Sequence, residues 1–244
     1  MPQPRIDRLN NGIELFIVDK GDQEVCRLDI LFEGGRYAAT TPAIADMTGP
    51  MLRKGIPGMD AEAIAEHLDY YGAWIQTGTT QHYSAISLFS LNRNLDKVLP
   101  IIAQMITEPS LPQKPFDVLK QQRIQQLEIN RQKVSFLAAE AFNSLIFGAS
   151  HPYARTTSAQ DLEAVTLDDI RLYHHNYYRN TGIRILLSGR ITDSVLELVH
   201  RHFDSLTPAI TTPAVVAPIE PEEVHTPTGG IAVGLAHGTS RYRN

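Results

Sequence analysis

The chain has 244 residues, enough for a core of its own, and its 43% hydrophobic and 20% charged residues are those of an ordinary globular protein. A net charge of −5 with both signs interspersed leaves no basic surface for nucleic acid or an anionic membrane, and no apolar run reaches the length of a membrane span. Cys26 stands alone, which excludes an internal disulfide and a multi-cysteine metal site, and the amino terminus lacks the apolar stretch of a signal peptide, so a cytoplasmic protein is expected.

Residues 13–18 and 25–32 read as strands; in the second, Leu28, Ile30 and Phe32 alternate with Arg27, Asp29 and Glu33. Residues 42–53 follow as a helix with Gly49 and Pro50 inside it. Pro50 has no N–H for the carbonyl of residue 46, at a cost of roughly 3 kcal/mol, and the glycine adds about 1 more. The helix is therefore expected to kink or stop near Gly49. Asp60 suits the N-cap of a helix to Tyr71 with Ile64, Leu68 and Tyr71 on one face. Residues 74–79 and 82–89 read as antiparallel strands. Residues 92–106 place Leu95, Val98, Leu99, Ile102, Met105 and Ile106 at helical spacing.

Pro115 suits the first turn of a long helix running through Glu128 toward Phe147. Thr166 and Asp169 have the spacing of a capping box opening a helix to about Asn176. A strand over 183–187 and a helix over 193–203 complete residues 1–206. This order argues an α+β domain, an antiparallel sheet with helices mainly on one face. From 207 to 228, prolines at 208, 213, 218, 221 and 227 describe a stiff, extended linker. Residues 229–244 are too few for a domain: a tail, or the start of a second one with a first strand at 230–234.

Three runs carry a wider pattern: Gly34-Gly35-Arg36-Tyr37, Met51-Leu52-Arg53-Lys54-Gly55, and the segment from Gly72 to Thr79. Leu9-Asn10-Asn11-Gly12-Ile13, His151-Pro152-Tyr153, Tyr173-His174-His175-Asn176-Tyr177, Asn180 and Gly189 extend it over residues 9–206. In order and spacing the chain resembles the insulinase/pitrilysin family, which includes the mitochondrial processing peptidase and bacterial relatives. In that family a helix carries His-x-x-Glu-His just before Met-Leu-x-Lys-Gly. The same register here lands on Asp46, Met47, Thr48, Gly49 and Pro50. Histidines at i and i+4 share a helix face and can hold one zinc ion, with the glutamate as base for its water. Asp46 is one carboxylate, Gly49 has no base to offer, and Pro50 has no imidazole. The family's third ligand, a glutamate on a later helix, falls at Leu127 or Glu128, and a second glutamate seven residues earlier is Gln121. Glu128 is either a retained ligand position or a solvated glutamate on a polar helix. The resemblance thus implies a member that binds no zinc and does not cleave peptides by itself.

In relatives the strand matching Ala73, Trp74, Ile75, Gln76, Thr77, Gly78 and Thr79 lies at the sheet edge and binds extended substrate by strand addition, a mode that does not depend on zinc. Gln76 stands where relatives usually carry asparagine, and an ordinary edge strand blunted by polar side chains is the alternative. Family subunits are clamshells of two homologous domains of this size, and inactive chains complete the chamber of active partners. The resemblance therefore implies a peptide ligand and a catalytic homologue as heterodimer partner, or self-association. A structural scaffold without a peptide role is the second reading. A metallopeptidase with a rearranged site, using Asp46, Glu128 and a histidine, is the third. The histidines argue against it: His174-His175 read as a surface pair, His200 and His202 diverge, and His67 sits at the boundary of its helix.

Overall fold

The structure, a computed structural model, describes residues 3–148, 151–179 and 181–208. The expected linker beyond residue 208, the expected strand at 230–234 and Asn180 lie outside the described residues.

A six-stranded sheet forms the centre. Its strands are β1 (Arg5–Arg8), β2 (Glu14–Asp19), β3 (Val25–Glu33), β6 (Trp74–Thr79), β7 (Tyr83–Leu91) and β8 (Ile183–Gly189), in the order β1-β2-β8-β3-β7-β6. Neighbours are antiparallel except β2 and β8, which run parallel because β8 returns from the helical half of the chain to lie between β2 and β3. β4 (Gly55–Ile56) and β5 (Met59–Asp60) make a separate small hairpin.

Alternation along the strands defines two faces. One is buried in continuous cross-strand rows, such as Ile75, Leu88, Leu28, Leu187 and Ile17. Each such side chain contributes about 1.5–3 kcal/mol by leaving water. The other face carries Trp74, Phe89 and Arg27 in one row and Gln76, Ser87, Asp29 and Leu186 in the next, half-buried or exposed. A mainly antiparallel sheet covered on one side reads in this way.

Helices α1 (Pro42–Leu52), α2 (Ala61–Tyr70), α3 (Leu95–Thr107), α4 (Gln113–Arg131), α5 (Val134–Phe147), α6 (Ala159–Ala164), α7 (Leu167–His174) and α8 (Asp193–Phe203) complete the fold. Asp60 caps α2 by accepting from the Ala63 N–H at 2.9 Å, and Thr166 with Asp169 closes the expected capping box of α7. Ser158 and Asp161 form a second box that opens α6.

Two expectations are corrected. α1 does not stop near Gly49: it continues through Pro50 to Leu52 and ends in a tightened turn, Arg53 N–H to Pro50 O at 3.3 Å and Lys54 N–H to Met51 O at 3.0 Å. Pro50 lies in the last turn and removes only its own donor, while Ala45, Met47, Thr48, Met51 and Leu52 are fully buried and hold the helix in place. The long helix toward Phe147 is two helices. It breaks at Lys133, whose backbone is extended and whose ammonium donates to the Asn130 side chain at 2.9 Å. α4 is polar with a buried stripe of Phe116, Leu119 and Leu127, whereas α5 is apolar and buries no residue fully.

Candidate functional site

β6 is the edge strand. The hairpin to β7 sets which of its main-chain groups point outward. Thr80 donates its N–H to Tyr83 O at 2.8 Å, so the even residues 74, 76 and 78 bond to β7. Ile75, Thr77 and Thr79 consequently aim their N–H and C=O groups away from the sheet, with no main-chain partner among the described residues. Ala73 differs from the rest of the expected segment: its N–H is taken by Leu68 O at 2.8 Å and its side chain is buried. Trp74, Gln76 and Gly78 are exposed on the open face, with the Trp74 ring 4.9 Å from Phe89 and the Arg27 guanidinium 5.0 Å over the same phenyl ring.

α1 runs beside this edge. Thr79 Oγ1 donates to Ala45 O at 3.2 Å, and Gly49 packs on Thr77. Asp46 and Pro50, one turn apart, are the half-exposed stripe of an otherwise buried helix, as a ligand pair at i and i+4 would have to be. What stands there does not fit zinc. Both Asp46 carboxylate oxygens accept from Arg36 Nε, each at 3.0 Å. A Cβ at Gly49 would lie 3.1 Å from Thr77 Cβ and 3.5 Å from the Tyr178 hydroxyl, so even the smallest side chain there presses on the edge strand. Glu128 is exposed to solvent on α4. Among the described residues no group of three or more His, Cys, Asp or Glu side chains is placed to hold a metal ion.

The loop from Gly34 to Thr41 carries Arg36 to Asp46 and is held from all sides. Arg36 and Tyr37 donate their N–H groups to Thr80 O and Gln81 O at 3.0 and 2.9 Å. The Tyr173 hydroxyl accepts from Gly35 N–H at 2.8 Å and lies 3.1 Å from Gly35 O, and Tyr177 donates to Ala38 O at 3.2 Å. Arg155 donates to the carbonyls of Arg36, Tyr37, Ala39 and Thr40. Gly35, at φ +131°, is required here, because a Cβ would sit 2.7 Å from both Thr80 O and Gln81 O. His151-Pro152-Tyr153 and the tyrosines of 173–177 belong to the sequence pattern, but only the fold shows Tyr173 and Tyr177 holding this loop. The signal for Arg155 was its place two residues beyond that motif.

Four of the histidines make contacts away from α1. His82 hydrogen-bonds the Tyr153 hydroxyl, His67 faces Lys97 O at 3.0 Å, and His200 lies 3.4 Å from Asp204. His174 is not a surface residue as expected. It is buried on the face of α7 that also carries Ile170 and Tyr173, and its Nε2–H donates to Ile106 O at 2.8 Å. Burial holds its pKa below the ordinary histidine value. Tyr178, 4.7 Å from the Phe32 ring, is pushed up to about 12 by burial.

No protein-family model matches the chain. Among curated proteins it is 24% identical over 232 residues to the zinc protease PqqE of Helicobacter pylori, covering 89% of this chain and 51% of that protein. It is 19% identical over 212 residues to the mitochondrial cytochrome b-c1 complex subunit 1 of Bos taurus, covering 85% and 44%. The chain thus spans about half the length of the curated relatives it matches. Among solved structures, the peptidase M16 inactive domain from Pseudomonas fluorescens superposes with a TM-score of 0.79 at 23% identity, over 87% of this chain and 53% of that one. The first half of the periplasmic protease PqqL from Escherichia coli gives 0.75 at 14% identity, over 90% and 50%. The described residues therefore have the fold of one M16 domain, one half of a two-domain clamshell. By its relatives and its fold together, this chain is similar to members of the insulinase/pitrilysin, or M16, peptidase family.

Proposed function

We propose that this chain is a non-catalytic half of an M16-type assembly, which completes a peptide-binding chamber with a catalytic homologue. One observation carries the reading: an edge strand with outward main-chain groups at Ile75, Thr77 and Thr79 lies against a helix whose ligand positions hold Asp46, Gly49 and Pro50. Strand addition draws its affinity from the main chain, so the edge can hold an extended peptide where no metal fits. The partner reading draws on α5, where Val134, Leu137, Phe142 and Leu145 are 48–81% exposed, an apolar surface that calls for a covering protein. That partner is a catalytic homologue, with a second copy of this chain as the other case. A cytoplasmic address belongs to the same reading and rests on the lone Cys26; among the described residues no helix is long and apolar enough to cross a membrane.

The test is to purify the tagged full chain from its own cells and identify what accompanies it. A homologue carrying His-x-x-Glu-His in a fixed ratio is the expected result. A strict monomer at high concentration, with no homologue attached, would sink the partnership. A scaffold role without peptide is favoured by the similarity to the cytochrome b-c1 subunit. Thr77→Pro separates the two: it removes an outward N–H and should weaken peptide binding while leaving a scaffold contact intact.

A further inference from the structure

Neither backbone nor packing explains why residue 78 is glycine. Gly78 lies inside the β6–β7 ladder, one pair from its hairpin end, has no left-handed φ, and a Cβ built on it meets nothing within 4 Å. Gly12, Gly58 and Gly72 are equally open, but each has a positive φ that favours glycine. A glycine inside a strand weakens it and marks a place where another group comes close.

Register shows what surrounds it. On the open face Gly78 stands beside Ala85 of β7, and Ala85 beside Leu31 of β3. The row on one side is Gln76 and Ser87; on the other is Tyr83, 37% exposed. Glycine beside a methyl group leaves a low place in the open face at the sheet margin, a notch, with Leu31 next inward and Tyr83 in the adjoining row. It opens toward the side from which a new strand would pair.

We propose that the β6 edge selects extended peptides bearing an aromatic side chain opposite Gly78. This rests on the strand-addition reading of the edge. Directly opposed residues share a face, so a strand added in either direction puts the side chain opposite Gly78 over the notch. In an antiparallel addition the hydrogen-bonded pairs fall at the odd residues, and Gly78 takes a non-hydrogen-bonded position, where facing side chains are closest. A ring there covers the exposed glycine backbone and reaches the apolar carbons of Ala85 and Leu31.

The experiment uses the full 244-residue chain and labelled peptides of about ten Ser, Thr and Lys residues, with a central Phe in one and a central Ala in the other. Anisotropy gives affinity, and Trp74, the single tryptophan, reports locally from the same strand. The Phe peptide is expected to bind about tenfold tighter, equivalent to about 1.4 kcal/mol. Gly78→Leu should erase that difference without lowering affinity for the Ala peptide or the melting temperature, since its Cβ enters open space. Thr77→Pro should weaken both peptides. Equal binding of the two peptides, or a Phe preference that survives Gly78→Leu, overturns the notch and leaves the edge standing. Absence of binding by either peptide, or binding indifferent to Thr77→Pro, overturns the edge reading and the notch with it.

Discussion

Replacing Arg155 by methionine isolates what holds the loop beside the degenerate helix. The guanidinium donates from Nη1 to Ala39 O at 2.9 Å and Thr40 O at 3.3 Å, and from Nη2 to Arg36 O at 3.2 Å and Tyr37 O at 2.9 Å. A hydrogen bond from a charged donor contributes about 1.5–3 kcal/mol. The two 2.9 Å bonds carry most of this, the two longer ones little, and methionine keeps the packing of the aliphatic stem. The expected loss is about 3 kcal/mol, a large part of the roughly 5–15 kcal/mol of a typical domain. Urea unfolding should show a lower midpoint at unchanged slope. Amide exchange should quicken at Arg36 and Tyr37, whose N–H groups bond to Thr80 O and Gln81 O. Arg155→Lys, a point charge without the planar fork, should recover less than half of the loss. A loss below about 1 kcal/mol in Arg155→Met, or one without faster exchange at those two amides, would refute the clamp.

His174 should make stability fall on acidification. Its folded pKa is held below the ordinary 6.5, so the unfolded chain binds the proton more readily, and stability declines as pH drops through about 6.5 toward the folded pKa. His202 shifts in the same direction, so His174→Gln, which keeps a donor for Ile106 O, should flatten the slope between about pH 7 and 5 only in part; an unchanged slope would contradict this. Burial pushes the Cys26 thiol up to about 11, so iodoacetamide at about pH 8 should label it only after unfolding, and rapid native labelling would count against the buried position. The purified chain should carry substoichiometric zinc and cleave no peptide, with Glu128→Ala changing neither; about one zinc per chain lost on that substitution would reinstate a rearranged site.

Local chemistry was legible in the chain. Asp60, and Thr166 with Asp169, announce helix starts because a cap involves groups only three residues apart. The alternation of Leu28, Ile30 and Phe32 declares a sheet face because strand side chains point to opposite sides in turn. Resemblance supplied the motif register that put Asp46, Gly49 and Pro50 on one helix, and it put residues 73–79 at the sheet edge, of which Ala73 is instead tied back to Leu68.

Other features depended on groups distant in sequence. Propensity argued that α1 breaks at Gly49, and burial of Met47, Met51 and Leu52 overrode it. The break at Lys133 has no glycine or proline to announce it. His174 reads as exposed until Ile106 supplies a buried carbonyl 68 residues away. The insertion of β8 between β2 and β3 joins strands about 150–170 residues apart, which no periodicity encodes. The outward groups of Ile75, Thr77 and Thr79, and the notch at Gly78, follow from the β6–β7 register and from neighbours on β3. Periodicity shows which residues share a face, because that is set by the backbone of one segment. Only the folded molecule decides what each face meets, because burial and hydrogen bonding are settled between segments and exceed the local preferences they override.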